Sequence, residues 1–371
     1  MTAVRVPFMR LLPGEDRPAI DAAIRRVIDR GWYVLGPEVE AFERGFAEAA
    51  GAAHAVGVGT GTDAIAIVLR ALGIGPGDEV ITTPVSAAYT ALACVMAGAR
   101  PVFADVDPRR LTISPAAVEA AITPRTAAIL PVHLYGQPAD MRAIMAVARA
   151  RGLAVIEDCC QAHLATCEGR PVGSFGVAAA YSFYPTKNLG ADGDGGMIVT
   201  NEEALAKKLK MLRVHGIERR YHHDLHGYNS RLDELQAAIL RVKLRHLPAW
   251  NERRAAIAAR YTHGLAVMPL ECPVADTGNQ HVFHVYAVLT DQRDALQAHL
   301  NQHGVSTIIY YPLPLHLQKV YADLGYREGD LPVSEAVSRR ILPLPIFPEL
   351  TDEQADYVTA TIRGFFTGFG S

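Results

Sequence analysis

Lys187 stands in the run Tyr181-Ser182-Phe183-Tyr184-Pro185-Thr186-Lys187-Asn188-Leu189-Gly190-Ala191-Asp192-Gly193-Asp194-Gly195-Gly196, after a hydroxyl-rich turn and before small and acidic residues. Met197-Ile198-Val199-Thr200 then reads as a short buried strand. A lysine in a glycine-rich loop between two apolar strands suits an amine that must lose its hydration and act as a nucleophile near neutral pH, with room for a planar partner. A loop lysine in a tight turn gives the same letters, and lysines are rarely buried unless paired. A second feature weighs against the plainer reading. The apolar run 153–156 ends in Glu157-Asp158, and in an open parallel sheet ligands collect at the carboxyl ends of strands. An amine and a carboxylate on neighbouring strand ends are what pyridoxal phosphate chemistry requires. The amine holds the aldehyde as a Schiff base, and the acid, here Asp158, keeps the pyridine nitrogen protonated so that the ring accepts electrons.

A third group lies upstream. Residues 55–58 read as a strand that runs into Gly59-Thr60-Gly61-Thr62-Asp63 and then a helix over 64–72. Strand, glycine turn and helix N-terminus make an anion cradle of free backbone N–H groups at the positive end of a helix dipole. A turn with a Thr or Asp cap explains the same letters; the lysine site favours the anion-binding reading.

Amphipathic spacing predicts helices over 14–31 and from Pro37 onward, with Phe42 and Phe46 on one face. Strands are expected at 79–82, 101–107 and 127–133, and helices at 90–97, near 115–122 and at 139–151. Strands alternating with helices of this length give a parallel sheet covered on both faces. Beyond the lysine strand, 202–214 reads as a helix and 216–227, with three histidines, as a loop. Asn229 or Ser230 then reads as the cap of a long helix with acids in its first turn, over 231–247, followed by a helix over 250–264. The remainder predicts a smaller α+β unit with strands at 283–289 and 305–310 and a helix at 291–303. The domains expected are 1–247, large and cofactor-binding, and 248–371, small and C-terminal.

The motif Ser-Phe-Tyr-Pro-Thr-Lys-Asn-Leu-Gly with Gly-Asp-Gly-Gly after it, and Glu157-Asp158-Cys159-Cys160-Gln161-Ala162-His163, resemble the nucleotide-sugar aminotransferases of the DegT/DnrJ/EryC1/StrS family. The likeness extends from Gly36-Pro37-Glu38 to the Leu-Pro-Ile-Phe-Pro segment at 344–348. It implies an α/β fold-type I transferase whose cofactor alternates between pyridoxal 5'-phosphate and pyridoxamine 5'-phosphate. By the same likeness, Gly61, Thr62 and Ser182 hold the phosphate, Gln161 meets the phenolic oxygen, and Asn229 reaches the cofactor of a partner subunit in a homodimer. The family's ring-stacking aromatic falls on Ala87 here, in a loop one residue shorter; Tyr89, the aromatic available, takes that role. His316 matches a position near the substrate, and substrate contact and plain structure are both open for it. The stretch from Tyr221, itself a candidate substrate contact, into 229–234 resembles members acting on 3-keto-6-deoxyhexoses of dTDP, with L-glutamate as amino donor. Amination at C4, or of a cyclitol, stays open. A branch that performs 3-dehydration carries histidine at the lysine position, so Lys187 argues against it. Leu164 replaces a usual glycine.

Composition narrows the rivals. The chain has 371 residues, a formal charge of −3 and five cysteines. Such a charge gives no general attraction to nucleic acid or anionic membrane, and no apolar run reaches the roughly 20 residues of a span. An odd, small set of cysteines and an N-terminus without an apolar core suit reduced thiols in the cytoplasm. A non-catalytic cofactor-binding regulator is the rival from another class, though no basic recognition helix is visible. A zinc site built from Cys159, Cys160, His163 and Cys167 is the third reading; adjacent cysteines point in different directions, which weighs against it. His133 is read as a hydrogen-bonded structural residue.

Overall fold

Seven strands, β1 (His54–Val58), β2 (Glu79–Thr82), β3 (Arg100–Phe103), β4 (Thr126–Ile129), β5 (Ala154–Asp158), β6 (Ala178–Ser182) and β7 (Gly196–Thr200), form the central sheet of the computed structural model. The structure describes residues 4–11, 14, 16–219 and 221–368; the expectations for 1–3, 12–13, 15, 220 and 369–371 lie outside the described residues. The strand order is β1-β7-β6-β5-β4-β2-β3. Neighbours from β3 through β6 pair in parallel, whereas β7 runs against both β1 and β6. The sheet is thus mostly parallel, as expected, with one antiparallel strand. The β6–β7 connection is the lysine loop and carries no helix, so the chain returns antiparallel instead of crossing over.

Both sheet faces are buried, and period-2 alternation sorts the side chains between them. Ala179 and Tyr181 of β6 and Met197 and Val199 of β7 point into one core, and Ala178, Ala180 and Ile198 into the other. Phe42 and Phe46 from the helix Pro37–Ala49 meet Phe183 and Tyr181 edge-on at 5.2 and 4.9 Å. Such aromatic pairs contribute about 0.5–1.5 kcal/mol beyond their buried area. That packing fixes the end of β6 and hence the start of the lysine loop.

A further core gathers Ile257, Tyr261, Tyr286, Val288, Leu342 and Ile362 around the antiparallel pair Tyr286–Leu289 and Ile341–Leu344. Val6 joins this core through a bridge to Val305, although it comes from the N-terminal segment. Leu247 at the start of the helix Leu247–Leu265 belongs to the sheet core and Ile257 to the second, so that helix links the two.

Several expected boundaries move. The long helix spans Glu234–Leu244 with Asp233, not Asn229 or Ser230, at its N-cap. Residues before it are spent on bridges, Asn229 to Val214 and Asp233 to Val34, which hold them extended. The histidine loop contains a short hairpin, Ile217–Arg219 against His222–His223. Around 305–310 only the bridge at Val305 forms, not a strand. No helix among the described residues is long and apolar enough to cross a membrane.

Candidate active site

The carboxyl ends of β1, β5 and β6 meet at one edge of the sheet. There a cavity of about 480 Å³ is lined by Thr60, Gly61, Thr62, Tyr89, Asp158, Gln161, Ser182 and Lys187, among others. The chain ends of three separate strands thus deliver the cradle, the acid and the hydroxyl, and the β6–β7 loop lays the lysine across them.

The helix begins at Gly61, three residues earlier than its apolar pattern suggests. Thr60 Oγ1 accepts from the Asp63 N–H at 3.0 Å as cap. The N–H groups of Gly61 and Thr62 have no acceptor among the described residues, so they are open to an anion. A Cβ on Gly61 would lie 2.7 Å from Cys160 Sγ and 2.8 Å from Ser182 Cβ. Gly196 is required for the same reason: its Cβ would stand 2.4 Å from the Thr60 carbonyl. Ser230 braces the turn, accepting from the Gly59 N–H at 2.9 Å and donating to Asp63 at 2.7 Å. Gly61→Ala suits the first turn of a helix, yet its methyl group intrudes on the cradle wall. The expected outcome is a protein destabilised by about 1–3 kcal/mol, read by thermal or denaturant unfolding, with cofactor affinity weakened about 10-fold, measured by titrating the apoprotein.

Asp158 is nearly enclosed, 5% exposed. Its Oδ1 accepts from the Cys160 N–H at 3.0 Å and its Oδ2 from the Thr90 hydroxyl at 2.7 Å. Two donors fix the carboxylate in one orientation. Gln161 is held by the Tyr135 N–H to Oε1 at 2.8 Å and by Nε2 to Tyr311 Oη at 3.2 Å. Tyr89, at the mouth of the cavity, is 64% exposed.

Lys187 is half-buried and shares no ion pair with any described acid. Burial pulls its amine below the ordinary lysine value, while Cys160 and Asp158 oppose the fall. Its backbone N–H closes a turn onto the Tyr184 carbonyl at 2.8 Å. Asn188, the next residue, anchors the loop: Nδ2 donates to Asn251 Oδ1 and the Val282 carbonyl, each at 2.9 Å. That leaves Asn188 Oδ1 to accept from His284 Nδ1 at 3.2 Å, which places the imidazole proton on Nδ1. Burial, with Lys187 and Arg254 adding to it, drives His284 well below the usual imidazole range, so it is neutral. A second cavity of about 360 Å³ adjoins the first and is lined by Lys187, Gln161, His284, Arg254, Tyr310 and Tyr311 among others.

Three expected site residues do not join this constellation. His316 is 1% exposed, and its Nε2 meets Glu335 Oε1 at 3.1 Å; of its two open readings, the structural one describes where it sits. Asn229 pairs with Arg231, and Tyr221 is 77% exposed on the histidine hairpin; neither lines this chain's cavity. Thr90, His284, Arg254 and Tyr311 were missed by motif reading, because each comes from an element that carries no glycine or lysine signature.

The zinc reading fails on geometry. Among the described residues, the donors lying within ligand distance of one another are His133, Glu157 and Cys159; Cys160, His163 and Cys167 do not join them. Glu157 is already satisfied, accepting from the N–H groups of Gly173, Phe175 and Gly176 and from His133 Nε2. The Ala139 N–H holds His133 Nδ1 at 3.0 Å, which makes His133 the structural residue expected of it. Burial raises the Cys159 thiol well above its usual value, against thiolate formation. His163 lies against Tyr181 and Phe183, its pKa lowered to about 3 by burial and then by Lys187. All five cysteines are free.

The family model of the DegT/DnrJ/EryC1/StrS aminotransferases matches residues 15–363. The chain belongs to that family. It is 48% identical to the dTDP-3-amino-3,4,6-trideoxy-alpha-D-glucose transaminase of Streptomyces venezuelae, over 97% of this chain and 96% of the relative. A UDP-N-acetyl-3-dehydro-alpha-D-glucosamine 3-aminotransferase of Acidithiobacillus ferrooxidans is also 48% identical, over 98% of each chain. A "pleiotropic regulatory protein" of Geobacillus stearothermophilus shares 51% identity over 95% of this chain and 96% of its own. Among solved structures, S. venezuelae DesV in complex with a ketimine intermediate superposes with a TM-score of 0.96 at 48% identity, covering 98% of this chain and 99% of that one. The fold is therefore the fold-type I architecture expected, and the chain is an aminotransferase of this family.

Proposed function

We propose that this enzyme moves the amino group of L-glutamate onto a nucleotide-linked keto sugar, a 3-keto-6-deoxyhexose of dTDP. The observation that carries the reading is one cavity in which Lys187, Asp158 and the open N–H groups of Gly61 and Thr62 converge. The residues fit pyridoxal 5'-phosphate, in alternation with its pyridoxamine form, which when bound would supply an electrophilic aldehyde and an electron-accepting ring. Gly61, Thr62 and Ser182 would hold the phosphate, Asp158 would serve the ring nitrogen, Gln161 the phenolic oxygen, and Tyr89 would lie against the ring. Lys187 Nζ holds the aldehyde carbon. Its amine, once free, would take the proton from the donor's α-carbon and hand it on, and a depressed pKa favours the neutral form for that task. Asn229 and Tyr221, outside this chain's own cavity, serve the cavity of a second copy, so the working unit is a homodimer. The large unit that holds the cofactor spans 1–247 and the small unit 248–371.

The sugar position and base follow from the loop resemblance and from relatives that act on 3-amino sugars of dTDP or UDP. The test loads the protein with pyridoxamine 5'-phosphate and offers 3-keto and 4-keto sugars of dTDP and UDP, together with a keto cyclitol. Return of the aldehyde chromophore with the dTDP-linked 3-keto sugar is expected; a response to the 4-keto sugar or cyclitol alone moves the assignment there. The regulator reading, which one relative's name favours, predicts a spectrum unmoved by any amino acid.

A further inference from the structure

Two adjacent cysteines follow β5, and their surroundings differ. Cys159 is fully enclosed in the sheet core. Cys160 is half-buried and, of the five cysteines, alone lines the cavity that also holds Lys187, Asp158 and the Gly61 turn. Its N–H donates to Asp158 Oδ1 at 3.0 Å, and its thiol leans weakly on the Ala180 carbonyl at 3.8 Å. A methyl group on Gly61 would stand 2.7 Å from the sulfur, so Sγ packs directly on the cradle turn. The Lys187 amine is near enough for its charge to act on the thiol, and the thiol's to act on the amine. The sulfur is therefore next to all three groups that a bound cofactor must engage at once: cradle, acid and amine. Any ligand that engages all three passes across it. Cys94 and Cys167 are buried elsewhere, and Cys272, half-buried, packs against the second core.

We infer that Cys160 is a modification site: soft carbon electrophiles alkylate its sulfur in the cofactor-free protein, and alkylation and cofactor binding exclude one another. This rests on the reading of the cavity as the cofactor site given above. With iodoacetamide as the electrophile, the sulfur–carbon bond forms as the carbon–iodine bond breaks. Iodide leaves, and the thiol proton passes to solvent. The carbamidomethyl group then stands between the cradle turn and Lys187, in space the cofactor needs. A buried structural thiol is inert, whereas one open to a cavity reacts through its thiolate. Burial, and after it Asp158, holds the Cys160 thiol well above its usual value, with Lys187 opposing the rise. Labelling should therefore gain rate as pH rises and not level off near neutrality.

The test follows each cysteine by peptide mapping of the full-length protein after timed exposure to iodoacetamide. One sample is cofactor-free, and the other holds pyridoxal 5'-phosphate at about ten times its dissociation constant. By mass action the cofactor-free fraction falls about 11-fold, and Cys160 labelling is expected to slow by that factor while Cys272 labels alike in both. The alkylated parent is expected to bind pyridoxal 5'-phosphate about 10-fold more weakly or worse, read by the visible chromophore. Cys160→Ala and Cys160→Ser, given the same treatment, should each bind it as the untreated variant does. Equal labelling of Cys160 with and without cofactor overturns the inference, as does a parent that binds cofactor undiminished once Cys160 is alkylated. No label at Cys160 in either sample overturns it too, since the sulfur is then closed to the cavity. Slowing of Cys160 and Cys272 alike means that the whole chain has tightened, and equally overturns it. Borohydride reduction of the parent, run alongside, keeps the two readings apart: an adduct mapped away from Lys187 sinks the site assignment, whatever the labelling shows.

Discussion

Lys187→Ala is expected to lower turnover by about 10⁴-fold or more while leaving the fold intact. Both halves of that result follow from the environment of the side chain. The amine lies in the cavity without a counter-ion, and burial depresses its pKa, so the native protein bears a cost for holding it there. Removing it deletes no hydrogen bond and leaves no buried partner stranded. The loop around it does not depend on it, because Asn188 and the Tyr184 turn supply the anchorage. On the proposed roles, what disappears is the nucleophile and the proton carrier together, and proton transfer alone is worth about 10²–10⁴ in rate. Borohydride reduction of the parent followed by peptide mapping should place the cofactor on Lys187 and nowhere else, and the variant should yield no adduct. An adduct on any other lysine in the parent would overturn the site. The sign of the pH effect is also fixed. A lowered pKa means the neutral amine persists to lower pH than a solvated lysine allows, so the donor half-reaction should lose rate only as pH falls through a value below 10.5.

How much of this was legible in the letters depends on the kind of signal each residue carries. Lys187, Asp158, Gly61 and Thr62 sit at strand ends or in glycine turns, where local composition and position in the fold coincide. The cavity duly collects all four. The antiparallel return of β7 was not legible, because a 13-residue glycine loop and a helical crossover leave the same apolar run behind them. The helix start at 228–231 misled for a similar reason. Asn229 and Ser230 have cap chemistry, but tertiary bridges at Asn229 and Asp233 outbid it and Ser230 braces the Gly59 turn instead. Arg254 did leave a trace. In the helix Leu247–Leu265 it falls on the face of Ile257, Ala258, Tyr261 and Leu265, all buried, where an arginine has no business unless something apart from solvent receives it. His284 and Thr90 left none, since their partners lie 96 and 68 residues away.

Asp158→Asn should cut the rate of the glutamate half-reaction by about 10²–10³-fold with little change in the glutamate concentration that half-saturates it. The substitution is nearly isosteric. Asparagine Oδ1 keeps the Cys160 N–H, and its amide can face the Thr90 hydroxyl, which rotates from donor to acceptor. Thermal stability should therefore stay near that of the parent, and the lost quantity is the negative charge at the edge of the ring. On the proposed reading, that charge would keep the bound cofactor's ring nitrogen protonated and the ring able to accept electrons, and the neutral amide would not. Thr90→Val makes the complementary case. The carboxylate remains, but Oδ2 loses its donor in a site almost closed to water, and the acid is free to turn. A smaller loss, about 10-fold, is expected there, because charge survives and only orientation suffers. Stopped-flow spectra of both variants, with cofactor occupancy measured on the same samples, separate the two effects. An Asp158→Asn protein that retains its cofactor and reacts with glutamate within about 3-fold of the parent would mean that the carboxylate does not face the ring nitrogen.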